Sequence, residues 1–174
     1  MIRATLLALL FQQAAPAGPP KPAPGIEAAY KWMAGNWKCT GKAFVTPFAP
    51  EHATTTTFAV KADLDGYWYH AEFAEKKSKA VPNPPRATGF FGWDASKKKL
   101  VSYFVGNTGV AIAQFSDGWK DDSLVFSGPM EAMGQKMTLR DSVTKKGDKE
   151  MVHVVEVSGK PGEWTKVAEE TCKK

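Results

Sequence analysis

The stretch from Lys136 to Cys172 reads KMTLRDSVT (136–144), KKGDKE (145–150), MVHVVEVS (151–158), GKPG (159–162) and EWTKVAEETC (163–172). Three runs alternate apolar and polar residues, and the breaks between them carry Lys146-Gly147-Asp148 and Gly159-Lys160-Pro161-Gly162. Alternation with period two sends successive side chains to opposite faces of a strand, and short glycine-bearing breaks join antiparallel neighbours. This stretch of the chain therefore reads as a β-meander, and the class it sets is all-β.

The same grammar extends upstream. Strands are expected at about Trp37 to Val45, Thr54 to Asp63, Tyr67 to Glu75, Ala87 to Trp93, Lys99 to Val105, Val110 to Ser116 and Ser123 to Ser127. Asp65-Gly66, Asn107-Thr108-Gly109 and Asp117-Gly118 supply turns, while Pro47 to Ala53 and Lys76 to Arg86 are looser. The second of these holds Pro82, Pro84 and Pro85 and is the longest break, a candidate portal flap. One short helix precedes the strands: Ile26, Ala29, Tyr30 and Met33 fall at i, i+3, i+4 and i+7, and Gly35 ends it. Ten antiparallel strands in one small domain leave two exposed edges unless the sheet closes, so the expected architecture is a ten-stranded up-and-down barrel. First and last strands then become neighbours, and they carry the two cysteines, Cys39 and Cys172. In an exported protein such a pair reads as a disulfide, with two unpaired thiols as the alternative.

The N-terminus supports export. Met1 to Arg3 is a short positive start, Ala4 to Phe11 is apolar, and Ala15-Pro16-Ala17 has the A-x-A form of a cleavage site, so residues 1–17 read as a signal peptide. The apolar run is too short for a membrane span of roughly 20 residues. Residues 18–25 form a proline-rich linker, and 26–174 the barrel domain, in the periplasm or secreted medium. With 174 residues and 43% hydrophobic content the chain is long enough for one real core. Its charge of +5 comes from 23 basic and 18 acidic residues, of which only Arg3, Arg86 and Arg140 are arginine. Scattered lysines with few forked guanidinium groups argue against nucleic acid. Lys38, Lys42, Lys61, Asp63, Arg140 and Glu156 alternate with apolar residues, which argues against the lipid-facing band of an outer-membrane barrel. A monomer is expected.

Met33-Ala34-Gly35-Asn36-Trp37, Gly89-Phe90-Phe91-Gly92-Trp93-Asp94, and Gly128-Pro129-Met130 with Met137 to Arg140 resemble segments of an uncharacterised bacterial domain family related to lipocalin-like and nitrobindin-like barrels. The Gly35-Asn36-Trp37 triplet is similar to the Gly-x-Trp opening of lipocalins and other calycins. The resemblance spans most of 26–174 and implies a calycin-like barrel more than any reaction. The two cysteines and the insert Lys76 to Arg86 depart from it.

A barrel of this size can hold a small ligand among its inward side chains or be filled by them. The more apolar set of each alternation is expected inward: Trp37, Gly41, Ala43, Phe58, Val60, Tyr67, Tyr69, Phe73, Phe91, Trp93, Val101, Tyr103, Leu139 and Val155. Its aromatic members suit a flat apolar ligand. His153 alternates with Met151, Val155 and Val157 and shares their face. The nitrobindin-like resemblance implies a possible axial haem ligand there; a hydrogen-bonded core histidine is the alternative. Met130, Met133 and Met137, with Met151 as a possible cross-strand neighbour, carry soft sulfur for Cu(I) or fill apolar gaps. No cofactor and no metal site follow from these residues alone. His52, His70 and His153 show no metal-ligand spacing. Asp121-Asp122 and Glu169-Glu170 are adjacent on strands and face opposite ways, and no nucleophile motif occurs, so the residues favour binding over catalysis.

Strand parity sharpens one expectation. If Cys39 and Cys172 are bonded they share a face, so Trp164, Lys166, Ala168 and Glu170 should share it too. Lys166 and Glu170 would then be inward polar anchors, unless a bulge breaks the parity of the last strand. The reading is an exported barrel binding a small apolar or aromatic molecule. Its alternatives are a haem-binding or enzymatic barrel using His153, and a structural or protein-binding barrel with a filled lumen.

Overall fold

The computed structural model describes residues 21–23, 25–47, 50–132 and 134–174. The expected signal peptide, residues 18–20 and Pro24 of the linker, and Met133 lie outside the described residues. Helix α1 (Ile26–Tyr30) leads into β1 (Gly35–Ala43), β2 (His52–Asp63), a 3-10 turn (Leu64–Gly66), β3 (Trp68–Glu75), β4 (Arg86–Asp94), β5 (Lys99–Gly106) and β6 (Ala111–Ser116). The second half comprises β7 (Trp119–Lys120), β8 (Ser123–Ala132), β9 (Gln135–Gly147), β10 (Glu150–Lys160) and β11 (Glu163–Lys173). Each long strand pairs antiparallel with its sequence neighbours, β1 pairs with β11, and β6 pairs with β8. Ten strands thus close into a barrel, and the two-residue β7, absent from the sequence reading, is a spur on β8. Strand β8 also runs five residues beyond the expected Ser127, through Pro129 opposite Thr138.

The seam between first and last strands is in register at the cysteines: Cys39 lies opposite Cys172, and the two are disulfide-bonded across 133 residues of sequence. The other seam, β6 to β8, needs close backbone approach. A Cβ on Gly128 would lie 2.1 Å from the Ala113 carbonyl oxygen, so only glycine fits. Gly92 makes room differently, since a Cβ there would lie 2.3 Å from the Trp68 ring on the outer face. At the end of β4, Asp94 accepts from the Ser96 hydroxyl and the Ser96 and Lys97 amides, which fixes the turn into β5 and holds its carboxyl below the usual carboxylate range.

Helix α1 closes one end of the barrel. Its predicted face is buried: Ile26, Ala29, Tyr30 and Met33 pack with Val60, Tyr69, Phe91 and Phe126. The helix is too short to satisfy its own last carbonyls, and barrel side chains supply the donors. The Trp119 indole donates to the Ala29 carbonyl at 2.8 Å, the Trp37 indole to Met33 at 2.7 Å, and Lys174 Nζ to Trp32 at 2.6 Å. Tyr30 donates its hydroxyl to the Gly92 carbonyl at 3.0 Å, and burial pushes its phenol pKa up, so it remains a neutral donor. Among the described residues no helix is long and apolar enough to cross a membrane.

Two parity expectations fail. On β5 the inward residues are Leu100, Ser102 and Phe104, facing Trp93, Phe91 and Gly89. Val101 and Tyr103 are outward. Val101 is nonetheless fully buried, opposite Gly92 where the Trp68 ring lies, and Tyr103 packs on Trp68 and is 40% exposed. Both faces of this strand are apolar, so the more apolar set does not reveal the inside. On β11 the register slips between Ala168 and Lys166, leaving Val167 as a bulge. Glu170 stays inward, whereas Lys166 turns outward opposite Glu156 and pairs with Glu169.

Candidate functional site

The barrel encloses a cavity of about 400 Å3, a size within the roughly 300–1,000 Å3 of small-molecule sites. Met33, in the turn that follows α1, forms its floor, and the Lys76 to Arg86 segment reaches its opposite end through Pro85. Phe58, Phe73, Phe91, Phe104 and Phe126 give it an apolar wall, with Ile112, Leu139, Val143 and Val155 between them. The disulfide belongs to the lining as well. Because both sulfurs are bonded to each other, the grouping of Cys39, Cys172 and Glu170 is not a thiolate metal site.

Of the residues singled out from sequence, Phe58, Phe73, Phe91, His153, Glu170 and the two cysteines line the cavity. Trp37 and Tyr69 point inward but are consumed by the floor, Trp37 against Trp32 and Tyr69 against Tyr30. Trp93 is inward and half-buried at that same end, packed on the core rather than lining the cavity. Tyr67 follows the 3-10 turn and does not line the cavity. Tyr103 and Lys166 face outward, as described. Met130 and Met137 are register partners on β8 and β9, but Met151 lies at the far end of the barrel, opposite Lys145 and Cys172, so among the described residues Met151 does not join the other two.

The lining residues that escaped the sequence reading include the apolar Phe104, Ile112 and Phe126 and the polar Thr56, Ser102, Gln114 and Asp141. Asp141 had a visible signal, since it stands between Leu139 and Val143 on an apolar alternation where a carboxylate must find partners. It finds two. Gln114 Nε2 donates to Oδ2 at 2.6 Å from β6, and His153 Nε2 lies 3.1 Å from Oδ1 on neighbouring β10. Burial of His153 disfavours its charged form, but the Asp141 hydrogen bond and the negative charges of Asp141 and Glu170 outweigh it and raise the imidazole pKa. Glu170, opposite His153 on β11, accepts the Thr56 hydroxyl at Oε2, 3.1 Å away. The site is thus an apolar chamber with a polar belt at mid-depth, built from Thr56, Gln114, Asp141, His153 and Glu170.

His153 Nε2, the atom that would hold a haem iron, is engaged with Asp141, and the described lining residues offer no Lys or Arg to offset the group's anionic propionates. The residues present do not fit that group.

Comparison with known proteins agrees with this architecture. The crystal structure of Rv2717c from M. tuberculosis superposes with a TM-score of 0.66, covering 88% of this chain and 99% of that one at 11% sequence identity, a likeness of fold alone. No curated protein matches the chain. Residues 28–174 match the family described as "Protein of unknown function (DUF1579)", and the chain, from α1 through the last strand, belongs to it.

Proposed function

We propose that this chain is a calycin-like carrier or sensor that binds one small, largely apolar molecule in its lumen. The observation that carries the reading is the cavity of about 400 Å3, closed at the α1 end and walled by five phenylalanines. A purely structural role would leave that volume empty, a poor use of aromatic surface that burial would otherwise reward at about 25 cal/mol per Å2. Lipocalin-like barrels with a Gly-x-Trp first strand and a helix at one end are suited to such a task, and the Gly35-Asn36-Trp37 opening beneath α1 supports the comparison. The Cys39–Cys172 disulfide supports a working place outside the reducing cytosol, in the periplasm or secreted medium.

Titration with an environment-sensitive apolar dye tests this. Saturable binding at one site is expected, and Ala87→Trp, which fills the lumen between Phe73 and Gly106, should abolish it while the circular dichroism spectrum stays unchanged. Unsaturable binding, or equal binding by the filled variant, would overturn the proposal.

A further inference from the structure

Resting on that reading, we propose that the lumen selects an apolar ligand bearing a protonated amine, seated on the carboxylate of Glu170. Glu170 is 5% exposed, lies on the cavity wall, and has only half of its carboxylate engaged. Oε2 takes the Thr56 hydroxyl, while Oε1 is buried with no hydrogen-bond partner. An ionised carboxylate can accept about four hydrogen bonds, and leaving a buried acceptor unmet is costly.

The neighbouring strands do not meet the need. On β1 the residue opposite Glu170 is Gly41, where a Cβ would lie 2.6 Å from the Glu170 Cα, so that position offers no side-chain donor. On β10 the residue opposite is His153, whose Nε2 is turned to Asp141. One strand further, opposite Gly41 on β2, Thr54 carries a second buried oxygen without a partner. Two buried oxygens without partners therefore sit in one row across β2, β1 and β11, and of the two residues Glu170 is the one on the cavity wall, where a ligand's N–H donors can meet it.

Charge selects a cation among such donors. The described lining residues contribute the carboxylates of Asp141 and Glu170 against a single imidazole, and no Lys or Arg. Nearer the mouth, Glu75 and His52 form another carboxylate–imidazole pair at 3.1 Å, adding no excess positive charge. An anionic head group such as that of a fatty acid would be repelled, and a neutral hydroxyl would meet one acceptor without the charge. A primary ammonium supplies three donors and the compensating charge on one atom.

The test compares three probes sharing one skeleton, 1-naphthylmethylamine, 1-naphthalenemethanol and 1-naphthoic acid, by isothermal titration calorimetry at pH 7. The amine should bind at least about tenfold tighter than either of the others. Glu170→Gln, nearly isosteric, should cost the amine about tenfold and leave the alcohol within about twofold. Equal affinities for the three probes in the wild-type protein, which needs no variant to fold, would overturn the head-group assignment while leaving the lumen-binding reading intact. Amine affinity unchanged in folded Glu170→Gln would do the same. If neither these probes nor the apolar dye bind, both readings fall together.

Discussion

Removing the Cys39–Cys172 bond gives the most quantitative check on the fold. The bond spans 133 residues and joins register partners on the first and last strands, so in its absence the unfolded chain regains almost the full freedom of its ends. The loop-closure expression for a ring of that length comes to about 5 kcal/mol at 25 °C. The sulfurs are also buried in the lumen wall, at 2% and 1% residue exposure, so Cys39→Ala/Cys172→Ala additionally loses some packing. The β1–β11 ladder remains able to form without the bond, so the variant should fold but with much reduced stability. Urea unfolding followed by tryptophan fluorescence measures the difference. For a urea slope of about 2 kcal/mol/M, the loss lowers the midpoint by roughly 2.5 M, and the slope itself rises as the uncrosslinked unfolded chain expands. Wild-type protein with reductant should follow the double variant. A midpoint moved by less than about 0.3 M would refute the entropic reasoning, and two titratable thiols in unreduced, denatured wild type would refute the β1–β11 cross-link itself.

Two further predictions follow from the geometry. Gly128→Ala forces a Cβ against the Ala113 carbonyl at the β6–β8 seam and should cost about 1–3 kcal/mol by chemical denaturation, with wild-type stability as the refuting result. His153 has a folded-state pKa above its ordinary value of about 6.5, so its contribution with Asp141 is present in full below that pH and is lost as pH rises through the folded-state pKa. The unfolding midpoint of wild type should fall across that window more than that of His153→Asn, and parallel pH profiles would show that the pair adds nothing.

How much of this was legible in the residues depends on the range of the interaction. Period-two alternation is local, so the long strands, their turns and the antiparallel class could be read directly, as could the helix face of Ile26, Ala29, Tyr30 and Met33. The disulfide was legible by combining two cheap facts: the cysteines occupy the first and last strands, and a barrel makes those strands neighbours. Periodicity tells which residues share a face but not which face is inside. Where one set is clearly apolar, as with Leu139, Val143, Val155 and Val157, composition answers. On Leu100 to Val105 both sets are apolar, and the answer comes from the register with β4 and from Trp68 lying over Gly92 on the outer face. The bulge at Val167 is likewise invisible locally, yet it turns Lys166 outward, while Glu170, on the Cys172 side of it, keeps the inward parity expected from the disulfide.

The all-β class, the strand order along the chain and the cysteine seam are set by neighbours a few residues apart or by the first and last strands, and so can be read without coordinates. The site depends instead on closure of the barrel. The polar belt joins Thr56 on β2, Gln114 on β6, Asp141 on β9, His153 on β10 and Glu170 on β11, and Gln114 and Asp141 are 27 residues apart in sequence but 2.6 Å apart in space. The curvature and register of the closed barrel bring such groups together, and those properties belong to the whole ring of strands.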